Sequence, residues 1–467
     1  MPRPMRHGAE PYSAYLFNGG YPTPRTIGRA YDDADLNRAI LAYRFFYPTV
    51  SIMGTWKGNL KNGAVPNKVF VLLEGTPQQL VFTPNFDTPY AGLPLDLTIG
   101  PMVVELPPGP LMSSANDMNH RWVLDMGLPG PDEGNGGKHL ILPPGYEGEV
   151  PTDFHSATAT TNRVLVLLRA LPVPARTPNE LMQSVKVYPL HRPADWKEPT
   201  WISLNKPGLD FTPLVWENNL EYWKVLHEVI DTEPPYEPYR NMYGELAELG
   251  IAKGRGFAPD VHVREILLKA ARAGNAILRV QSFADRRPER VVWQDRQWEW
   301  AALRPENGTF ETEHYTDTYA REKWFFQAQI ESPAMFARAP GAGSLYWLGL
   351  RDVRGAYLDG ARTYKLVVPQ PVPAKLFWSV TVYDALTRSE IATSQNNAAL
   401  RSMFELKGEE GKPVIELYFG PAPPPGKEKQ WIKTTPGTGW FAYFRVYGPE
   451  QPAFDGSWKP GDFTLMK

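Results

Sequence analysis

The chain contains no cysteine among its 467 residues. This absence excludes disulfide bonds, thiolate metal ligands and thiol nucleophiles. Site chemistry therefore rests on imidazole, carboxylate, carbonyl and hydroxyl groups. If a cofactor is a metal, the sequence favours a divalent ion held by nitrogen and oxygen ligands.

Long apolar runs and an excess of charge are also missing. No window approaches about eighteen apolar residues, and the N-terminus lacks the apolar core of a secretory signal. The sequence thus predicts a soluble protein with no membrane span, cytoplasmic, or exported if a signal peptide is missing from this sequence. The 49 basic and 51 acidic residues nearly balance, which argues against a nucleic-acid partner.

The common catalytic fingerprints are absent as well. The sequence has no Gly-x-Ser-x-Gly elbow, no Walker loop and no Rossmann glycine pattern. A serine hydrolase elbow therefore has no support, and no nucleotide cofactor is expected.

Proline, glycine and aromatic residues are abundant, with 48 Pro, 39 Gly and 12% aromatic residues. This composition is typical of many short strands joined by turns, with large rings between layers. We predict an α+β fold that is mainly β, with two β-sandwich or jelly-roll-like modules and a helical segment between them. The predicted segments are an N-terminal helix with connections (1–68), a β domain (69–211), a helical segment (212–344) and a second β domain (345–467).

Local patterns support this division. A helix is predicted from residue 32 to 46, ending at Pro48. Short apolar or alternating runs predict strands, including Val69–Leu73, 80–83, Met102–Leu106 and 119–124. Helical periodicity takes over after Thr212, and strands return from residue 363.

A row of polar side chains follows the middle of the first β domain. Asp117, Asn119, Arg121 and Asp125 alternate with apolar or aromatic residues, and side chains two apart in a strand share one face. The row is either a solvated surface or the wall of a polar site. Asp117, Asp125 and Arg121 are candidate catalytic residues, and Asn119 is a candidate substrate-binding residue.

The loop 83–90 precedes this row. It places Asp87 next to Asn85, Thr88 and Tyr90 between two prolines. Asp87 either forms a local Asx-turn or pairs with Asp117 and Asp125 in acid and base roles. Asn85, Thr88 and Tyr90 are predicted to contact the substrate.

In the second β domain, Arg445 and Tyr447 share a strand face with other rings, and Asp384 ends an apolar strand. An arginine among rings can bind a carboxylate or stack on a planar ligand, or it can form a buried pair with Asp384. Trp378 is a candidate for a sugar platform or for the core. Asp384, Arg445, Tyr447 and Trp378 are the substrate-binding candidates of this domain.

Several of these stretches resemble known families. Residues 83–107 and 142–151 resemble the bacterial domain-of-unknown-function family 1254. Residues 355–360, 377–384 and 445–449 resemble its usual companion, family 1214. The resemblance implies β-sandwich or jelly-roll-like modules combined with helices, and it implies no activity.

Two functions remain open. The first is a carboxylate- or metal-dependent hydrolase or lyase acting on a polar organic or glycan-like substrate, with the metal unknown. The alternative is a non-catalytic protein that binds a carbohydrate or small molecule, or that assembles with itself. Flat aromatic strands also predict a homo-oligomer.

Overall fold

A computed structural model describes residues 15–75, 77, 81–174, 176–303, 309–341 and 343–466. With 27% helix and 28% strand, it confirms a mixed α+β fold. The chain divides into two compact units. One combines the chain up to Phe46 with Trp216–Ile277, and the other combines Tyr47–Val215 with the chain from Leu278 onward.

The first unit is helical except for one small hairpin. Its elements are the hairpin strands β1 (Phe17–Asn18) and β2 (Tyr21–Pro22), the first part of α1 (Pro24–Lys61), α3 (Glu221–Thr232), α4 (Arg240–Glu248) and most of α5 (Val261–Phe283). Tyr222 donates a hydrogen bond to the Tyr43 carbonyl at 2.7 Å, and the Trp223 indole donates to the Leu267 carbonyl at 2.9 Å. The helical periodicity predicted after Thr212 is thus confirmed.

Helix α1 corrects one prediction, because it continues through Pro48 to Lys61. A proline removes one backbone donor and crowds the preceding turn. Burial offsets this cost, since Val50, Ile52 and Met53 are at most 1% exposed. The side chain packing of the second half of α1 therefore outweighs the local preference of the proline.

The N-terminal β module of the second unit contains two sheets. The larger has the order β12-β3-β4-β10-β6-β7, and the smaller has the order β11-β5-β8-β9. The strands are β3 (Val69–Leu73), β4 (Tyr90–Asp96), β5 (Met102–Leu106), β6 (Leu111–Asp117), β7 (Trp122–Gly127), β8 (Gly137–Leu142), β9 (His155–Thr158), β10 (Arg163–Ala170), β11 (Lys186–Pro189) and β12 (Thr200–Ser203), with the short helix α2 (Pro178–Gln183) before β11.

The C-terminal β module has the same two-sheet plan. The larger sheet has the order β13-β14-β20-β16-β17, and the smaller has the order β19-β18-β15-β21. Its elements are β13 (Trp298–Trp300), α6 (Thr318–Gln327), α7 (Pro333–Phe336), β14 (Ser344–Gly349), β15 (Tyr364–Pro369), β16 (Ala374–Asp384), β17 (Ala399–Arg401), β18 (Val414–Gly420), β19 (Trp431–Lys433), β20 (Trp440–Pro449) and β21 (Thr464–Leu465).

Each module has its own apolar core. In the C-terminal module the core includes Trp378, Val380, Phe444 and Val446 from the larger sheet and Leu417 from the smaller one. Because successive side chains in a strand point to opposite faces, the alternate residues of β16 and β20 lie on the other face. That face positions the candidate site.

Of the helices in the described chain, none combines the length and apolarity that a membrane crossing needs.

Candidate ligand-binding site

A cavity of about 290 Å³ lies within the second unit, lined by one face of each larger sheet. The N-terminal sheet contributes residues of β4, β6 and β10, and the C-terminal sheet contributes residues of β14 and β20. The other walls come from the second half of α1, the segment 81–85, the segment 204–214 and the chain around α7.

Strand register explains the polar end that the C-terminal sheet supplies. Arg445 on β20 lies opposite Tyr346 on β14 and opposite Ser379 on β16. Tyr447 lies two residues further along the same face of β20. The alternation that buries Trp378 in the core therefore presents these polar groups toward the N-terminal module.

The N-terminal sheet supplies a second cation by the same rule. Arg169 on β10 lies opposite Tyr90 on β4 and opposite Met112 on β6. Leu167, two residues earlier, lies opposite Gly92 and shares the same face. All five residues line the cavity, and Ser114 on β6, opposite Leu167, adds a hydroxyl group to the same face.

Arg445 is the most unusual group at the site. Its side chain is buried, with the residue 2% exposed, and its Nη2 donates to the Thr83 carbonyl at 3.2 Å. Its Nε and Nη1 have no hydrogen-bond partner among the described residues. The guanidinium lies 5.1 Å from the Tyr443 ring centre and 5.5 Å from that of Tyr383. A buried cation with unpaired donors is costly unless an acceptor reaches it.

Asp87 holds the opposite charge nearby. Its Oδ2 accepts hydrogen bonds from the Ser379 hydroxyl at 2.9 Å and from the Tyr447 hydroxyl at 3.1 Å. Its backbone N–H donates to Asn85 Oδ1 at 2.7 Å, and the Asn85 amide also hydrogen-bonds the Tyr447 hydroxyl. Oδ1 of Asp87 is buried without a partner in the described chain. The Asx-type contact in this loop is therefore made by the Asn85 side chain, and the predicted Asx-turn of the Asp87 side chain is replaced by its hydrogen bonds to Ser379 and Tyr447.

Arg169 is anchored by a hydroxyl rather than by a carboxylate. Its Nε and Nη2 donate to the Thr88 hydroxyl at 2.9 and 2.6 Å, and its guanidinium lies 4.9 Å from the Tyr90 ring centre. The Tyr90 hydroxyl accepts from the Asn85 N–H at 3.0 Å, and burial raises the pKa of Tyr90. Tyr90 is therefore a neutral phenol that keeps its own proton for donation.

Glu390 lies near this polar end and is 1% exposed. Neither carboxyl oxygen has a hydrogen-bond partner among the described residues. Burial raises the pKa of Glu390 to about 8, although the positive charge of Arg445 opposes the shift. Glu390 is accordingly neutral at pH 7.

The predicted polar strand from residue 117 to 125 is a hairpin instead. The chain turns between β6 and β7, with His120 at φ +56°. Asp117 stabilises this turn, because its carboxylate accepts from the backbone N–H groups of Asn119 and Arg121 at 3.0 and 3.1 Å and from Thr160. The expected row of aligned side chains does not form.

The remaining members of that row have structural contacts. Asn119 donates to the Thr160 hydroxyl at 2.8 Å, and Arg121 pairs with the partly exposed Glu311 at 3.1 Å. Asp125 lies on the cavity face of its sheet, opposite Ser114. Its oxygens accept from the Trp122 indole and the Ser332 hydroxyl at 3.1 and 2.7 Å.

Asp117 and Asp125 thus share no hydrogen-bond partner with Asp87 in the part of the chain that the structure describes. The expectation that the three carboxylates converge rested on one continuous strand. The hairpin removes that basis.

Two C-terminal candidates lie away from the cavity. Trp378 belongs to the core, where its ring stacks 5.4 Å from that of Phe444. Asp384 caps a turn by accepting from the N–H groups of Leu386 and Thr387. Asp384 lies opposite Trp440 in the sheet, five positions from Arg445 and therefore roughly 17 Å along the strand, so the alternative of a buried Asp384–Arg445 pair is wrong.

Within the described residues, no group of three or more histidine, aspartate or glutamate side chains is arranged to hold a metal ion. Asp132 instead accepts from His139 Nε2 at 3.0 Å and from the Gly127 N–H at 2.7 Å. This pair fastens the glycine-rich loop 127–137, whose Leu128 and Pro129 line the cavity.

Sequence reasoning missed three groups at the site. Arg169, Tyr346 and Glu390 were not singled out, and the aliphatic wall was not anticipated. Arg169 and Leu167 occupy alternate positions in one apolar strand, which is the one signal that identifies Arg169 as an inward-facing cation.

Two family models match the chain. Residues 67–189 match the protein family of unknown function DUF1254, and residues 343–451 match the protein family of unknown function DUF1214. Both resemblances expected from the sequence are confirmed. In chain order, the DUF1254 match therefore precedes the DUF1214 match.

One of the matching solved structures shows the same fold. The crystal structure of the VPA0106 protein from Vibrio parahaemolyticus has a TM-score of 0.57 to this chain at 16% identity, over 93% of this chain and 100% of that one. A putative uncharacterized protein from Burkholderia cenocepacia has a TM-score of 0.39 at 12% identity, over 94% and 96%. No curated protein matches. Neither the family descriptions nor these titles name a function.

Proposed function

We propose that this protein binds a small amphipathic organic anion in the cavity between its two larger sheets. The observation that carries the proposal is Arg445, a buried arginine that lines the cavity with its Nε and Nη1 unpaired in the described chain. A carboxylate has the geometry to accept both N–H groups at once. The proposal takes up the small-molecule-binding alternative of the sequence analysis.

The walls support an apolar body for the ligand. Beside the polar groups, the walls are formed largely by apolar side chains, such as Leu73, Leu167, Leu204, Leu209 and Leu214. A glycan needs a polar partner for most of its hydroxyl groups, because each buried hydroxyl left unpaired is costly. These walls favour an apolar ligand with one charged end over a glycan-like ligand.

The test compares Arg445→Met with the parent protein by isothermal titration calorimetry, using octanoate and benzoate as probes. Loss of a charge-assisted bidentate contact predicts at least a tenfold loss of affinity. Arg401→Met is the matched control, because Arg401 lies opposite Ser379 on the same sheet face but pairs with Glu405 at 2.5 Å. Equal binding of both anions by the parent and Arg445→Met contradicts the proposal.

Thermal unfolding of the ligand-free variants separates binding from folding. Arg445→Met removes one hydrogen bond to Thr83 and one buried charge, so we expect an unfolding midpoint equal to or above that of the parent. A large drop instead assigns Arg445 a structural role.

The hydrolase or lyase hypothesis is retained as a second proposal because of Asp87. Its unpaired Oδ1 and its link to the cavity-lining Tyr447 fit a proton acceptor. This proposal predicts that a bound ligand is converted, and that Asp87→Asn stops conversion while binding persists. NMR of ligand incubated with catalytic amounts of protein tests it, and unchanged ligand spectra contradict it.

Self-association also remains a proposal from the sequence. Light scattering coupled to size-exclusion chromatography tests it, and a monomeric mass at all accessible concentrations refutes it.

A further inference from the structure

We infer, on the basis of the proposed function, that the ligand is a singly charged aliphatic carboxylate of about ten non-hydrogen atoms. The inference combines the charges at the polar end of the cavity, the unpaired donors there, and the size and composition of the walls.

The charges at the polar end leave one positive charge unbalanced. Arg169 and Arg445 line the cavity, and in the described chain Arg169 donates to the Thr88 hydroxyl and Arg445 to the Thr83 carbonyl rather than to a carboxylate. Asp87 is a carboxylate at this end of the cavity, where it accepts hydrogen bonds from Ser379 and Tyr447. Glu390 is buried with both oxygens unpaired in the described residues, and such a carboxyl group is favoured in its neutral form. One negative charge on a ligand balances the cluster, whereas two overcompensate it.

In the described chain, the unpaired buried side-chain atoms of the cavity-lining residues are donors, whereas the unpaired oxygens of Asp87 and Glu390 belong to residues that do not line the cavity. Arg445 keeps two N–H groups without a partner in the described chain. The Tyr90 hydroxyl accepts from the Asn85 N–H, so its own proton is available for donation. An ionised carboxylate offers about four acceptor positions and no donor, which complements this surplus. An amine or an alcohol supplies no comparable acceptor set.

Size and wall composition define the rest of the ligand. The volume of about 290 Å³ is roughly twice that of a cavity of about 150 Å³ that binds benzene, which corresponds to about ten non-hydrogen atoms. The walls include Leu204, Leu209 and Leu214, whose flexible aliphatic surfaces suit an alkyl chain. Octanoate, with about ten non-hydrogen atoms, fits these limits.

The experiment measures the affinity of the full chain for octanoate, octanol, octanedioate and hexadecanoate by isothermal titration calorimetry at pH 7. We expect octanoate to bind at least tenfold more tightly than each of the others. Octanol tests whether the ligand needs a charge, and octanedioate tests whether one charge is preferred to two. Hexadecanoate tests whether the cavity volume limits the length of the chain. Leu209→Trp, which adds bulk to the apolar wall, is expected to weaken the binding of octanoate severalfold more than that of hexanoate.

The outcomes separate this inference from the proposed function. If octanedioate or hexadecanoate binds as tightly as octanoate, or if Leu209→Trp weakens both chain lengths equally, the ligand class is wrong while anion binding through Arg445 stands. If benzoate is preferred to octanoate, the aliphatic assignment fails in the same way. If no anion binds the parent, both the inference and the proposed function are overturned.

Discussion

Replacing Glu331 by glutamine is expected to stabilise the protein in a pH-dependent way. Glu331 is 4% exposed, and its Oε1 accepts from the Trp122 N–H at 2.9 Å. Its Oε2 has no partner among the described residues. Burial raises the pKa of Glu331 to about 7, with the backbone hydrogen bond from Trp122 opposing the shift. Glutamine keeps the accepting oxygen and removes the ionisation.

Proton binding by Glu331 determines how the free energy of unfolding changes with pH. The ordinary pKa of a glutamate is 4.5, and the pKa of Glu331 in the folded protein is about 7. Between these two pH values the unfolded chain loses the Glu331 proton while the folded chain retains it. The folded state then binds more protons, so the free energy of unfolding falls as pH rises. A shift of this size corresponds to about 3 kcal/mol at 1.36 kcal/mol per pKa unit. Below pH 4.5 the effect vanishes, and above about 7 it is complete.

Urea unfolding of the parent and Glu331→Gln at pH 4.5, 6 and 8 measures this difference. We expect near-equal stability at the lowest pH and an advantage of about 3 kcal/mol for the variant at pH 8. Glu313→Gln is the control, because the Glu313 side chain is 87% exposed, and its effect should not depend on pH. A Glu331→Gln advantage that is constant with pH, or that grows toward acid, refutes the reasoning.

Two further predictions concern a buried ion pair and a glycine in a close backbone contact. Lys323→Met is expected to lower the free energy of unfolding by about 3–5 kcal/mol, because it leaves buried Asp285, 2.7 Å away, without its cation. The control is Lys365→Met, which breaks the half-exposed pair with Glu416 and should cost at most about 1 kcal/mol in the same urea titration. Equal losses for the two variants contradict this account. Gly127→Ala places a Cβ 2.2 Å from the Leu111 carbonyl oxygen at φ +78°, whereas the Cβ of Gly145→Ala at φ +72° meets nothing within 4 Å. Both variants carry the left-handed backbone cost of about 1–2 kcal/mol. A larger fall in melting temperature for Gly127→Ala therefore measures the clash, and equal falls argue against it.

Regular strands were predictable where apolar residues lie between turn signals. Val69–Leu73 and Met102–Leu106 have the predicted bounds, because their burial agrees with their local preference. The strand predicted at 80–83 lies in part outside the described residues, and 81–83 are irregular. The alternation in β16 also placed Trp378 and Ser379 on opposite faces.

The same reasoning from apolar periodicity failed at a turn. The run from Asp117 to Asp125 alternates in polarity, yet Asp117 accepts hydrogen bonds from N–H groups two and four residues ahead. That is the local side-chain bonding by which aspartate favours turns over strands. Alternation alone cannot distinguish one continuous strand from two strands joined by a tight turn.

The site was predictable only in its local parts. Asn85, Tyr90, Arg445 and Tyr447 were singled out from the sequence, and all four line the cavity. Their approach to Arg169 depends on how sheets from two modules face each other, and residues 169 and 445 are too far apart in the chain for any periodicity to relate them. Long-range register is set by packing of whole faces, which a single sequence does not reveal.

The cost of the polar end links stability to binding. The fold keeps Arg445 buried with two donors unpaired in the described chain, although an apolar residue would avoid that penalty. A ligand that binds only the folded state stabilises it by about 2.7 kcal/mol at one hundred times its dissociation constant. Ligand and arginine therefore compensate each other: at this concentration octanoate should raise the unfolding midpoint of the parent, and the rise for Arg445→Met should be at most about half as large, because a tenfold weaker affinity leaves about 1.4 kcal/mol. The same shift in both proteins means that the arginine serves another purpose.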